Sequence, residues 1–227
     1  MWNNSELKEK AKASYRPNYW LTVLAGVIIT IFAAASGGSS GRSDHGNNLH
    51  LSSGGFAGIL ALSLAFTAIS FALIIAIVKI IVGNSLIVGA QKVLINNSYG
   101  IKSEFSTFVF VFKDGHWKNV AINMFLRSLF TALWTLLFII PGIVKSYEYA
   151  MIPYLLAENP EMTYDEVFKT SKEMMNGNKF NTFCLDLSFI GWFLLDLLTF
   201  GILGVFYVHP YYFQTRAELF ITLKANR

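Results

Sequence analysis

Apolar segments of near-membrane length recur along this chain: Asn18–Ala35, Phe56–Val82, Val120–Ile140, Ile143–Ala157, Phe180–Phe200 and Ile202–Leu223. About 20 apolar residues in a helix cross the hydrocarbon of a bilayer. The expected fold is therefore an all-α membrane protein of about six transmembrane helices arranged as hairpins. Charged residues make up 14% of the 227 residues and the mean hydropathy is +0.47. Soluble domains carry roughly 25% charged residues, so residues 1–227 read as one polytopic membrane domain.

Basic residues set the expected orientation. Lys8, Lys10, Lys12 and Arg16 precede the first segment, and Lys92, Lys102, Lys113 and Lys118 lie between the second and third. Lys169, Lys172 and Lys179 separate the fourth and fifth, and Lys224 and Arg227 end the sequence, whereas the alternate connections hold Arg42 and Lys145. Lysine and arginine stay on the cytoplasmic side of short loops. Both termini are expected in the cytoplasm, which five spans would not allow. The net charge of +4 thus points to the lipid bilayer as partner and not to nucleic acid.

The single cysteine, Cys184, excludes an intramolecular disulfide, and an apolar setting leaves such a thiol inert. The string IFAAASGG resembles a signal-peptidase site, but Asn18-Tyr19-Trp20 reads as an interfacial anchor of a retained helix. Residues Ser36–Gly55 form a Gly/Ser-rich loop containing Asp44, His45 and His50. Zinc needs fixed ligands, which this composition does not supply, so no metal and no cofactor is expected.

Amphipathic stretches precede the hairpins. Residues 1–17 read as a cytoplasmic amphipathic helix, and 103–114 and 163–176 as helices in the membrane interface. In the first of these, Phe105, Phe108, Val109 and Phe112 share one face. In the second, Thr163 and Glu166 have capping-box spacing, Val167, Phe168, Ser171, Met174 and Met175 form a stripe, and Gly177 ends the helix. Both are followed by similar strings, DGHWKN and NGNKFN, and then by hairpins turning at Pro141-Gly142 and at Phe200-Gly201. The second arms share Pro153-Tyr154 with Ala157-Glu158, and Pro210-Tyr211 with Ala217-Glu218. An internal repeat of interfacial helix, short turn and hairpin follows, with the N-terminal segment as a looser third copy.

At PGIVKSYEYAMIPYLLAENP, KTSKEMMNGNKF and LDLSFIGWFLL the sequence resembles an uncharacterised family of bacterial integral membrane proteins, domain of unknown function 975. The resemblance is close over residues 141 to 213, recognisable at LKEKAKASYRPNYW and weak from 36 to 118. It implies a multi-span protein of a bacterial plasma membrane and supplies no catalytic or binding residues.

Five ionisable residues lie within the apolar segments: Arg127, Lys145, Glu148, Asp186 and Asp196. Each costs about 2.5–3.5 kcal/mol on insertion scales. Depth along the helices pairs Arg127 with Asp186, and Lys145 with Asp196, with Glu148 one turn from Lys145. Such pairs would fasten hairpins where apolar burial cannot, because lipid tails are as apolar as leucine. The alternative is a polar pathway for protons, ions or lipid head groups. No His-Glu-x-x-His, Gly-x-Ser-x-Gly or Gly-rich phosphate loop occurs. A non-enzymatic accessory, assembly or interaction component with an unidentified membrane-protein partner is expected; a small transporter or lipid-handling protein is the alternative.

Overall fold

Glycine, proline and capping residues divide the chain into short helices more often than the apolar pattern alone implies. The computed structural model describes residues 3–15, 18–36, 66–67, 70 and 81–226. Among them every regular element is helical. In chain order these are α1 (Asn4–Tyr15), α2 (Tyr19–Ser36), α3 (81–98) and, after a 3₁₀ turn at Phe105–Val109, α4 (Phe110–Lys113). Then come α5 (Trp117–Leu137), α6 (Ile139–Glu148), α7 (Ile152–Glu158), α8 (Tyr164–Met175), α9 (Lys179–Leu187) and α10 (Ile190–Leu198). A π-helical turn at Gly204–Val208 leads into α11 (His209–Ala225).

Helix α11 is the axis. Leu7 and Ala11, four residues apart and hence on one face of α1, are buried, and that face packs on α11. Lys8 and Lys12 lie over the rings of Phe189 and Tyr211, and Ser14 donates to Glu218 Oε1 at 2.7 Å. Helix α3 joins through Gln214, whose Nε2 donates to Leu94 O at 3.1 Å and Ser98 Oγ at 2.8 Å. Asn97 ties α3 to α2 by donating to Thr22 Oγ1 at 2.8 Å and accepting from Asn18 Nδ2 at 3.0 Å.

Among the described residues two helices are long and apolar enough to cross a membrane, Trp117–Leu137 and the nearly continuous Lys179–Leu198. The expected segment 143–157 is interrupted at Tyr149–Met151, and the run Ile152–Ala157 is entirely buried by protein. The segment 202–223 contains the π turn and an α11 whose Gln214, Thr215 and Glu218 are buried. The segment 56–82 lies mostly outside the described residues, as do Asp44, His45 and His50.

The repeat has a structural counterpart. Gly115 (φ +76°) follows α4 and starts the approach to α5, and Gly177 (φ +75°) does the same between α8 and α9. Both positions need the left-handed backbone that a side chain resists. The second hairpin turns at Phe200 (φ +52°) and Gly201 (φ +83°) as expected. The first turns earlier than expected. Phe138 is extended (φ −152°, ψ 131°), and Pro141-Gly142 lie inside the first turn of α6. Proline is tolerated there because a first-turn N–H has no intrahelical acceptor.

The stripe on α8 is covered by protein: Val167, Ser171, Met174 and Met175 are buried against the rest of the chain, with α6, α7 and α11 as neighbours. Phe168 meets the rings of Phe130 and Tyr149 at 5.6 Å and 5.0 Å. In 103–114 the expected face is split, because a 3₁₀ turn advances three residues per turn. Phe108 and Val111 point inward, while Phe105 is exposed. The capping box is present: Glu166 accepts from the Thr163 N–H at 3.0 Å and from its hydroxyl at 2.8 Å.

These two bonds hold the Glu166 carboxyl below its ordinary value of 4.5. Their contribution is present above that value and lost as pH falls through the lowered one. Thermal unfolding followed from neutral pH down past 4.5 should therefore show a stability loss that Glu166→Gln diminishes. Thr163→Ala should cost about 1 kcal/mol at neutral pH, as expected for a lost N-cap.

Candidate functional site

The charged residues inside the apolar segments gather into separate clusters, each closed by groups from other helices. Asp186 on α9 accepts from the Tyr147 hydroxyl of α6 at 2.9 Å, the Tyr212 hydroxyl of α11 at 3.1 Å and Arg216 Nη2 of α11 at 3.2 Å. Arg216 Nε also donates to the Tyr212 oxygen at 3.2 Å. Charge-assisted bonds are the strong ones in such settings, and here they join three helices at one carboxylate.

Glu148 centres the second cluster and is 4% exposed. Its two oxygens receive Lys145 Nζ at 2.8 Å and Lys179 Nζ at 2.7 Å. Its backbone carbonyl accepts from Ser171 Oγ at 2.7 Å. Glu148 therefore connects α6 to α8 through the backbone and to α9 through the side chain. Lys145 also lies over the Trp134 ring, 5.5 Å from its centroid.

Arg127 on α5 donates from Nε to the Tyr149 carbonyl at 2.9 Å. Tyr149 is the C-cap of α6, where carbonyls have no intrahelical donor and the helix dipole favours a cation. Asp196 on α10 accepts from the Gly204 N–H at 2.6 Å, satisfying the π turn, and lies 3.9 Å from His209 Nε2. His209 Nδ1 meets Thr30 Oγ1 at 3.1 Å.

All five residues singled out from sequence thus hold interior bonds, but the partners differ. Asp186 pairs with Arg216 and not with Arg127; Lys145 pairs with Glu148 and not with Asp196. Depth along a helix fixes height but not the direction in which a side chain leaves the axis. Four participants were missed: Tyr147, Lys179, Tyr212 and Arg216. A signal existed for two of them, because Tyr212 and Arg216 are i, i+4 neighbours and share one face of α11.

Among the described residues, one open cavity lies apart from these clusters and another shares Lys179 with the Glu148 cluster. The first, of about 610 Å³, is lined by acidic groups including Asp114, Glu158 and Glu161, with His116 Nε2 3.1 Å from Glu161. The other, of about 340 Å³, is lined by Lys169, Lys172, Glu173, Asn176 and Lys179. No group of three or more His, Cys, Asp and Glu suited to a metal ion occurs among the described residues.

The profile of a family described as a protein of unknown function (DUF975) matches residues 69–227. No curated protein and no solved structure matches the chain significantly.

Proposed function

Because the chain belongs to the DUF975 family, whose description names no activity, we propose from geometry that it is a multi-span membrane protein acting as a non-enzymatic accessory or assembly component. The observation that carries this is the apolar surface left uncovered at one end of the long helices. Leu136 is 85% exposed, Ile140 76%, Leu197 76% and Phe200 97%. Side chains of this size clustered at each of the two hairpin turns need lipid or protein around them. In the same helices, Asp186 and Glu148 are engaged by cations of their own chain, which supports their use as fasteners.

We read the chain as six spans in a bacterial plasma membrane with both termini cytoplasmic. The full-length protein should stay with the membrane pellet after alkaline extraction and enter detergent micelles; release by alkali would overturn the reading. In a Cys184→Ser background, a cysteine replacing Ser39 should label from outside and one replacing Tyr164 from inside. Tyr164 suits this test because it is 52% exposed, whereas its neighbour on the same helix, Ser171, is buried.

Crosslinking in native membranes, followed by purification, should recover one stoichiometric membrane-protein partner. A second reading, a small transporter, is favoured by one observation: Arg127 has no carboxylate within ion-pair distance among the described residues and bonds instead to the Tyr149 carbonyl. Solute flux in liposomes by the purified chain alone would establish it over the first.

A further inference from the structure

Six residues form an exposed apolar stripe along α9 and α10: Phe180, Phe183, Leu187, Ile190, Leu194 and Leu198, each 41–74% exposed. Steps of three and four residues keep them on one side of a helix. Immediately before the stripe stands Lys179, and Lys179 belongs to the cavity of about 340 Å³ described above. Three lysines line that cavity with one carboxylate, Glu173, while a second carboxylate, Glu148, pairs with Lys179.

Lys179 is held in place, since its Nζ is 2.7 Å from Glu148 Oε2. Lys169 and Lys172 are three residues apart on α8, so they rise from neighbouring positions of one face. Like charges so placed repel each other, and an anion between them reverses the sign of that interaction. A basic cavity lined by Lys179, the residue immediately before the apolar stripe, fits one molecule with a charged end and a long apolar remainder.

We propose that the cavity binds the phosphate of an anionic phospholipid whose acyl chain lies along the first part of the α9–α10 stripe. The dimensions agree. One leaflet of hydrocarbon is about 15 Å deep, half of a core roughly 30 Å thick. At about 1.5 Å per residue, that depth is the distance from Phe180 to Ile190. Phe180, 73% exposed and adjacent to Lys179, sits where the head group meets the chain. The assignment rests on the membrane reading above and adds a ligand class to it.

The test uses full-length protein in detergent micelles, offered phosphatidylglycerol, phosphatidylcholine or inorganic phosphate, with bound species counted by native mass spectrometry. Phosphatidylglycerol should be retained and phosphatidylcholine should not. The variant Lys169→Gln/Lys172→Gln should weaken retention about tenfold or more, because each lysine near an anionic lipid surface contributes on the order of one kcal/mol. Lys169→Arg/Lys172→Arg should keep it. The charge-matched variant Lys102→Gln/Lys118→Gln, outside the cavity, should also keep it.

Equal retention of both lipids would overturn the proposal, as would equal loss in the two glutamine variants. Inorganic phosphate bound as well as the lipid would mean a free-anion site, and a lipid-free dimer would mean that a second copy covers the stripe. Either overturns it. A protein that micelles do not take up would refute the membrane reading itself, so the two failures are distinguishable.

Discussion

Asp186→Leu is expected to cost about 3–5 kcal/mol of folded stability, the range for removing one partner of a buried ion pair. The loss of attraction is the smaller part. The change strands Arg216, whose side chain is 16% exposed, with no carboxylate at Nη2, and it deprives the Tyr147 and Tyr212 hydroxyls of their shared acceptor. Arg216→Met should cost a similar amount for the mirror reason, leaving Asp186 with two phenols and no cation. The double variant Asp186→Leu/Arg216→Met removes both charges, so it should recover most of the loss, because well-packed apolar replacements of buried pairs are often neutral. Thermal unfolding in detergent measures all three. A transport role separates from a structural one here: the double variant would then fold normally and carry no flux. Two single variants that unfold like the parent would show that water reaches the pair.

The features that could be read from the sequence are the ones set by local chemistry. The Thr163–Glu166 capping box, the left-handed Gly177 and the Phe200-Gly201 turn depend on residues within a few positions of one another, and all are present. Pro141-Gly142 misled because proline is equally at home in a turn and in the first turn of a helix; the break fell on Phe138 instead. The apolar run Ile152–Ala157 also illustrates a limit. A residue covered by protein and one covered by lipid have the same composition, so hydropathy alone could not tell the buried α7 from a lipid-facing span. The ion pairs failed for another reason. Counting residues along the segments gives Arg127 and Asp186 comparable depth, but Arg216 approaches Asp186 from α11, a relation that only helix packing determines. Even so, the residue types were informative, since every one of the five charges within the apolar segments holds a partner inside the chain.

Gly89→Ala should destabilise the protein by about 3 kcal/mol, at the upper end of the cost of forcing extra carbon into a packed interior. A Cβ on Gly89 would lie 2.7 Å from the Phe108 carbonyl carbon and 2.9 Å from its Cα, and nearer still to its oxygen. All three are backbone atoms, so no side-chain rotation relieves the clash. Nor can the 3₁₀ turn at Phe105–Val109 retreat freely, because Phe108 is only 1% exposed and its ring would leave the core with it. The same substitution at Gly191 should have the opposite sign. Nothing lies within 4 Å of the position its Cβ would take, and the residue is in α10. Alanine there restricts the unfolded chain and should gain up to about 1 kcal/mol. Thermal unfolding of the two variants side by side gives the result. A tolerated Gly89→Ala would show that α3 does not pack directly on the Phe108 backbone. The contact would then be loose, and α3 would not be fastened to the turn that introduces α4 and α5.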